Sequence, residues 1–181
     1  MTSPTGLLEQ QNYGIFLAGK QTRPLQHGFQ VPLEAIHDKL FPFQKAIARW
    51  AVRKGRAAMF CDTGLGKTFM QLEWARLIGE RTLILAPLAV AQQTVREGAK
   101  LGIDVTYCRD QESVGQIAVT NYEMLKAFDL SQFGAVVLDE SSILKSFDGK
   151  TRTRLIEAFA DTPYRLCCTA TPAPNDLEEF G

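Results

Sequence analysis

The chain is poor in cysteine and histidine and has no long apolar run, and each shortage excludes a class of protein. Its 181 residues include four Cys, none in CxxC spacing, and two His far from them, which argues against a zinc site. No apolar run approaches the roughly 20 residues of a membrane-spanning helix. The N-terminus lacks the basic-then-apolar pattern of a signal peptide. We therefore expect a soluble protein of the cytoplasm, or of the nucleus in a eukaryote, with no membrane partner.

The formal net charge is zero, but the charges are unevenly distributed. Residues 1–60 hold eight Lys and Arg against three Asp and Glu, whereas residues 61–181 hold twelve against seventeen. The basic side chains between residues 45 and 56 could contact nucleic-acid phosphates or form the solvated face of a helix. Charge alone neither requires nor excludes a nucleic-acid partner. A composition of 45% hydrophobic and 22% charged residues indicates one globular domain.

The most informative segment is Cys-Asp-Thr-Gly-Leu-Gly-Lys-Thr at residues 61–68, here called the phosphate loop. An apolar run at 57–60 precedes it, and apolar residues follow at helical spacing up to Gly79. A strand, a glycine turn and a helix start bring backbone N–H groups to one point, which favours polyphosphate binding. Lys67 would then contact the β- and γ-phosphates, and the Thr68 hydroxyl would bind Mg²⁺. The expected phosphate contacts come from Thr63, Gly64, Leu65, Gly66, Lys67 and Thr68.

A second chemical feature is the apolar run at 135–138, which ends in the adjacent carboxylates Asp139 and Glu140. Beside a phosphate loop, Asp139 would hold Mg²⁺, and Glu140 would orient and deprotonate the water that attacks the γ-phosphate. The alternative is an acidic start to a surface loop. We predict that Lys67, Asp139 and Glu140 are the catalytic residues.

The order of elements predicts an α/β fold. Apolar strand candidates alternate with helical stretches, a pattern typical of a mostly parallel central sheet with helices on both faces. In such sheets, ligands bind at the carboxyl ends of the strands, where the phosphate loop and the Asp139–Glu140 pair fall. A helix beginning at Pro42 is expected to bury Phe43, Ile47, Trp50 and Ala51. The strand candidates are residues 57–60, 82–86, 104–107, 116–120, 135–138 and 164–168.

With these features in place, the chain resembles the first RecA-like lobe of superfamily 2 helicases and translocases, of DEAD/DEAH type and most like the Swi/Snf-type branch. The resemblance covers about residues 40–180 and includes the phosphate loop (Walker A) and the Asp-Glu pair. Phe-Pro-Phe-Gln at 41–44 resembles the glutamine motif, which implies that Gln44 reads the adenine edge. Leu-Ala-Pro-Leu at 85–88 resembles the motif that borders the nucleic-acid track, and Val-Thr-Asn-Tyr-Glu at 119–123 resembles the one after it.

Two later segments extend the resemblance. Asp-Glu-Ser-Ser-Ile-Leu-Lys at 139–145 matches the Asp-Glu-x-x pattern, with Ser142 where the family typically has His or Asp. Cys-Thr-Ala-Thr-Pro at 168–172 resembles the Thr-Gly-Thr-Pro motif with Ala in place of Gly, which implies that Thr169 and Thr171 form the coupling element.

The resemblance implies a RecA-like P-loop NTPase fold that uses ATP and Mg²⁺ and acts on nucleic acid, with DNA favoured over RNA. We expect residues 1–33 to be an N-terminal extension and residues 34–181 to be the ATP-binding lobe. The second RecA-like lobe, which carries an arginine finger in the family, is absent from these 181 residues. It is expected in the parent protein or in trans. Contacts to nucleic-acid phosphates are assigned to Pro87, Thr120, Asn121, Tyr122 and Lys145. For the last four, ordinary capping and loop roles are an open alternative.

The expected activity is ATP binding with slow hydrolysis by this chain alone, since an arginine finger supplies a factor of about 10³–10⁵ in related enzymes. Two alternatives stay open. One is a stand-alone nucleotide-binding switch or interaction module without motor activity, and the other is a phosphate-loop ATPase without a nucleic-acid partner. The glutamine motif favours adenine, and no Asn-Lys-x-Asp guanine pattern occurs in the sequence.

Overall fold

Helices and strands alternate along the chain, and the computed structural model describes residues 27–145 and 149–172. Over these residues the α-helices are α1 (Pro42–Lys54), α2 (Lys67–Ile78), α3 (Leu88–Leu101) and α4 (Gly149–Ala158). The strands are β1 (Arg56–Phe60), β2 (Thr82–Leu85), β3 (Thr106–Tyr107), β4 (Ile117–Thr120), β5 (Ala135–Leu138) and β6 (Tyr164–Thr169). Short 3₁₀ segments lie at Leu33–Ala35, Gln111–Ser113, Tyr122–Ala127, Leu130–Gln132 and Ser141–Lys145.

The strands form one sheet in the order β1-β6-β5-β2-β4-β3, and every neighbouring pair is parallel. Both faces are covered, because Ile84 of β2 packs into one apolar cluster with α1, α2 and α3, while Leu83 and Leu85 pack into a second cluster with α4. The predicted α/β fold with a parallel sheet and helices on both faces is confirmed. Since all strands run the same way, β1, β5 and β6 deliver their carboxyl ends to one edge of the sheet.

One helix face differs from the prediction. The buried residues of α1 are Gln44, Ala48, Ala51 and Val52, and Ile47 packs against the edge of the core cluster. The side chains of Phe43 and Trp50 are exposed, so the expectation that they would be buried was wrong. The small side chains of Ala48 and Ala51 bring α1 close to the core, and Gln44 is held inward by its own hydrogen bonds.

The predicted boundary between an extension (1–33) and a lobe (34–181) stays a prediction, because much of the extension lies outside the described residues. Where the described chain begins, it packs on α1: the His27 N–H donates to the Lys54 carbonyl (3.2 Å), and the Arg49 Nε donates to the Val31 carbonyl (2.9 Å). None of the helices in the described part of the chain has the length and apolarity to cross a bilayer.

Candidate functional site

The phosphate loop connects the end of β1 to the start of α2, and two glycines shape it. Gly64 and Gly66 have φ of +82° and +74°, a left-handed conformation that non-glycine residues rarely adopt. Gly66 caps α2, and the backbone N–H groups of the first helical turn have no partner within the helix. A methyl group added at Gly64 would meet nothing within 4 Å, so the loop is open on that side. The open loop and the N-terminus of α2 thus have the geometry of a helix-end anion site, and phosphate binding there stays a prediction.

Lys67, the first residue of α2, supplies the positive charge of the loop. Its Nζ donates to the carbonyls of Cys61 (2.9 Å) and Asp62 (3.3 Å), so the ammonium lies across the loop backbone. Cys61 is buried with the core cluster. Burial raises the pKa of its thiol, while the charge of Lys67 opposes that rise. The Cys61 side chain thus packs inward while its carbonyl accepts a hydrogen bond from Lys67.

Gln44 braces the phosphate loop from α1. Its Oε1 accepts a hydrogen bond from the Phe41 N–H (2.9 Å), and its Nε2 donates to the Leu65 carbonyl (2.9 Å). The side chain is buried and lies so close to Gly66 that a methyl group there would collide with its amide. The structure places Gln44 beside the loop, as predicted. It also gives Gln44 a bracing role that the sequence did not indicate, and its reading of adenine stays a prediction.

The bracing role predicts that Gln44→Ala lowers the stability of the fold. The change removes the hydrogen bonds that Gln44 makes with the Phe41 N–H and the Leu65 carbonyl, and each such bond contributes about 0.5–1.5 kcal/mol to stability. We expect a loss of about 2 kcal/mol in the free energy of unfolding, measured by urea denaturation. The matched control is Gln93→Ala on the exposed face of α3, which should change stability by less than about 0.5 kcal/mol. Equal, small effects of the two changes would contradict the bracing role.

Asp139, directly after β5, is buried and held at three points. Its N–H donates to the Leu85 carbonyl (2.8 Å), its carbonyl accepts from the Tyr122 hydroxyl (2.7 Å), and its Oδ1 accepts from Gln71 Nε2 (2.6 Å). Burial raises the pKa of Asp139, and the Gln71 hydrogen bond and the charge of Lys67 counteract that shift. The carboxylate therefore lies within the electrostatic reach of the phosphate-loop lysine, which suits a metal ligand.

Glu140 has an unusual backbone conformation. Its φ is +52°, in the left-handed region where the backbone of a residue other than glycine is strained. Its Oε1 accepts hydrogen bonds from the hydroxyls of Ser142 (2.8 Å) and Thr169 (2.7 Å). The bend after β5 thus aims the carboxylate toward the end of β6.

The predicted coupling residues join the same network. The Thr171 N–H donates to Thr169 Oγ1 (3.1 Å), and the hydroxyls of Ser142 and Thr171 lie 3.4 Å apart. Thr169, Thr171 and Ser142 therefore form a closed ring with Glu140. Although Ser142 replaces the family's usual His or Asp, it still joins the Asp-Glu turn to the Thr-Ala-Thr segment.

The residues assigned to nucleic acid do not share one exposed surface. Thr120 and Tyr122 are buried, and the Asn121 side chain accepts from the Met124 N–H to cap a 3₁₀ segment. These inward positions do not support direct contact with nucleic acid, because a backbone phosphate would have to reach the interior. Pro87 is half-buried at the start of α3, and Lys145 ends the 3₁₀ segment after Glu140. A nucleic-acid role for these two residues stays a prediction.

Sequence reasoning missed two residues of the site. Gln71 lies in the middle of α2 and looks like any helical glutamine, yet it bonds to Asp139. Tyr122 was assigned to nucleic acid, but its hydroxyl binds the Asp139 carbonyl, and burial raises its pKa, so the hydroxyl remains protonated as the donor. Both partnerships connect residues distant in sequence, and no local pattern signals them.

Comparison with known proteins finds a similar sequence and solved structures of similar fold. No protein-family model matches the chain. Protein p41 of Acyrthosiphon pisum secondary endosymbiont phage 1 is 28% identical over 169 residues, which covers 77% of this chain and 37% of that protein. The SWI2/SNF2 ATPase core of Sulfolobus solfataricus, solved in complex with dsDNA, has a TM-score of 0.64 at 21% identity, over 83% of this chain and 36% of that one. The UvsW helicase of bacteriophage T4 has a TM-score of 0.61 at 15% identity, over 73% and 52%.

These relatives are all longer than the aligned region, and the chain spans about half of their length or less. At such identities, structural likeness shows the fold alone. The similarity therefore confirms the expected RecA-like fold, and membership of superfamily 2 and of its Swi/Snf-type branch stays a prediction. The chain has the RecA-like α/β fold found in the SWI2/SNF2 ATPase core and the UvsW helicase.

Proposed function

We propose that this chain is the ATP-binding lobe, residues 34–181, of a nucleic-acid-dependent ATPase of the helicase or translocase type, with duplex DNA as the favoured partner. The observation that carries the proposal is the pair of hydrogen bonds at the sheet edge. Gln71 of the phosphate-loop helix bonds to Asp139, and Glu140 bonds to Thr169 of β6. These bonds link the helix after the phosphate loop, the two carboxylates and Thr169 at one edge of the sheet, which supports the roles proposed for them.

The residues present suit a magnesium nucleotide. The open loop offers backbone N–H donors and the Lys67 ammonium to the phosphates. Thr68 and Asp139 would hold Mg²⁺, which commonly takes one or two protein ligands together with phosphate oxygens and water. When bound, the ion neutralises charge on the phosphates. The Asp139 carboxylate accepts hydrogen bonds from Gln71 and from the Glu140 backbone, which hold it in place at the end of β5.

The reaction that follows is hydrolysis of ATP to ADP and phosphate. Lys67 exchanges its loop carbonyls for phosphate oxygens and stabilises the charge that moves toward the β-phosphate. Glu140 orients a water molecule for in-line attack and accepts its proton. Its Oε1 is anchored by Ser142 and Thr169, so its Oε2 is the atom assigned to the water.

Nucleic-acid stimulation is the decisive test of this function. We expect the 181-residue chain to bind ATP and to hydrolyse it slowly. A form extended through a second RecA-like lobe should gain at least about 10-fold in ATPase rate when duplex DNA is added, if DNA bound by both lobes brings the arginine finger to the nucleotide. That residue supplies about 10³–10⁵ in related reactions. The measurement is phosphate release with duplex DNA, single-stranded DNA, RNA or no nucleic acid. No stimulation by any of the three would contradict the motor function.

One observation favours a second candidate, an adenine-nucleotide ATPase or switch without a nucleic-acid partner. Three of the five residues assigned to nucleic acid, Thr120, Asn121 and Tyr122, have buried side chains. In the same assay, this candidate predicts a rate that is independent of every nucleic acid while ATP binding is retained.

A further inference from the structure

Gln71 is a fully buried polar side chain in α2, where its neighbours Met70, Leu72 and Trp74 are fully buried as well. Its Nε2 donates to Asp139 Oδ1 over 2.6 Å, and the contact joins positions 68 residues apart in sequence. Its Oε1 has no hydrogen-bond partner within the described parts of the chain. Gln71 therefore makes one strong polar contact and leaves one polar atom unsatisfied.

The orientation of the Gln71 amide follows from its partner. The NH₂ group of the amide donates to the Asp139 carboxylate oxygen, which accepts, and this orientation leaves Oε1 without a partner among the described residues. An unpaired carbonyl in the core destabilises the fold. An apolar side chain of the same length would avoid that cost. The hydrogen bond to Asp139 is thus kept even though the unpaired Oε1 lowers the stability of the fold around α2.

Gln71 is well placed to control the Asp139 carboxylate. The hydrogen bonds of Asp139 with Leu85 and Tyr122 are made by its backbone, and they fix the backbone position of Asp139. Gln71 instead holds a carboxylate oxygen and so limits rotation of the side chain. Because α2 begins at the phosphate loop, the same helix positions both the phosphate donors and the metal carboxylate.

We propose that Gln71 is a positioning residue that orients Asp139 for the Mg²⁺ bound with the nucleotide. This inference rests on the proposed function, because it requires a magnesium nucleotide in the phosphate loop. Gln71 contacts neither the nucleotide nor the metal. It links the phosphate-loop helix to the Asp139 carboxylate and limits rotation of that side chain.

The test is the magnesium dependence of nucleotide affinity in the 181-residue chain carrying Gln71→Met, which keeps the side-chain length and removes the amide. The Kd of a fluorescent ATP analogue is measured with EDTA and with Mg²⁺. We expect the Kd in EDTA to stay within about twofold of the parent. The affinity gain on adding Mg²⁺ should fall by about 10- to 100-fold, the usual effect of removing an outer partner of a metal ligand. Mn²⁺ titration of the nucleotide complex by electron paramagnetic resonance reports the same loss as metal affinity.

The matched control is Thr94→Val in α3, which removes another buried polar group, one bonded to the Val90 carbonyl. It should leave the magnesium-dependent gain unchanged. If Gln71→Met does not fold, Gln71→Asn takes its place, because its amide is one methylene too short to reach Asp139. The positioning role is overturned if the magnesium-dependent gain survives in a folded variant, or if affinity falls equally in EDTA and in Mg²⁺.

Nucleotide binding by the parent chain, measured with and without Mg²⁺, distinguishes failure of the Gln71 role from failure of the proposed function. Nucleotide binding without any gain from Mg²⁺ would overturn the role of Gln71 and leave nucleotide binding in place. No binding in either condition would overturn both.

Discussion

Replacing Lys67 with alanine should weaken ATP binding by about 100-fold. The ammonium lies across the phosphate loop on the carbonyls of Cys61 and Asp62, so it is already at the anion site before a nucleotide arrives. A hydrogen bond to a charged group contributes about 1.5–3 kcal/mol, and 1.4 kcal/mol corresponds to a tenfold change in Kd. Lys67 has more than one phosphate oxygen to contact, so the upper end of that range applies. The measurement is the Kd of a fluorescent ATP analogue with Mg²⁺.

The control for this change is Lys100→Ala, which removes an exposed lysine from the last turn of α3. Its Kd should equal that of the parent chain, since no part of α3 belongs to the phosphate loop. Unchanged affinity in Lys67→Ala would refute the assignment of residues 61–68 to phosphate binding. Circular dichroism of both variants distinguishes loss of the site from loss of the fold.

Glu140→Gln should leave ATP binding intact and reduce hydrolysis by about 10²–10⁴-fold in the form extended through a second lobe. The amide oxygen can still accept from Ser142 and Thr169, so the side chain keeps its place. What it loses is the ability to take the proton of the attacking water. The expected result is therefore an unchanged Kd for ATP with a much lower kcat, measured by phosphate release at saturating ATP.

Glu157→Gln is the matched control, because it makes the same chemical change on the exposed surface of α4. Its kcat should match that of the parent. A Glu140→Gln enzyme that turned over at the parent rate would show that another group accepts the proton. A large loss of affinity would instead mean that Glu140 supports the fold of the nucleotide site.

The fold and the phosphate loop could be predicted because their signals are local. The apolar run before Cys61 and the helical spacing after Thr68 are read within about 20 residues, and β1 and α2 form where those patterns place them. The parallel sheet followed from the alternation of strands and helices. Local sequence patterns did not predict which face of α1 is buried. Phe43 and Trp50 satisfy a helical apolar pattern, but the close approach of α1 to the core depends on small side chains such as Ala48.

The sequence predicted individual residues of the candidate site but not the hydrogen bonds between them. Lys67, Asp139 and Glu140 belong to recognisable short patterns, whereas the bond from Gln71 to Asp139 joins distant positions. The left-handed backbone conformation of Glu140 could not be predicted either, because no glycine or other local signal at this position indicates it. Such features depend on how the sheet edge and α2 pack together, so the sequence alone does not signal them.

Ser142 departs from the motif in sequence, yet in the structure it makes the contact that the motif predicts. In sequence, a serine in place of His or Asp leaves no visible link between the Asp-Glu turn and the later threonines. In the fold, its hydroxyl donates to Glu140 and lies 3.4 Å from the Thr171 hydroxyl. A short side chain is sufficient there because the ends of β5 and β6 are neighbours in the sheet.

Calorimetric titration of the 181-residue chain with ATP in the presence of Mg²⁺, and with GTP in parallel, measures nucleotide binding at the phosphate loop. We expect one ATP bound per chain, a weaker response to GTP, and tighter binding with Mg²⁺ than with EDTA. The absence of heat and of saturable binding for both nucleotides in the folded chain would contradict this expectation.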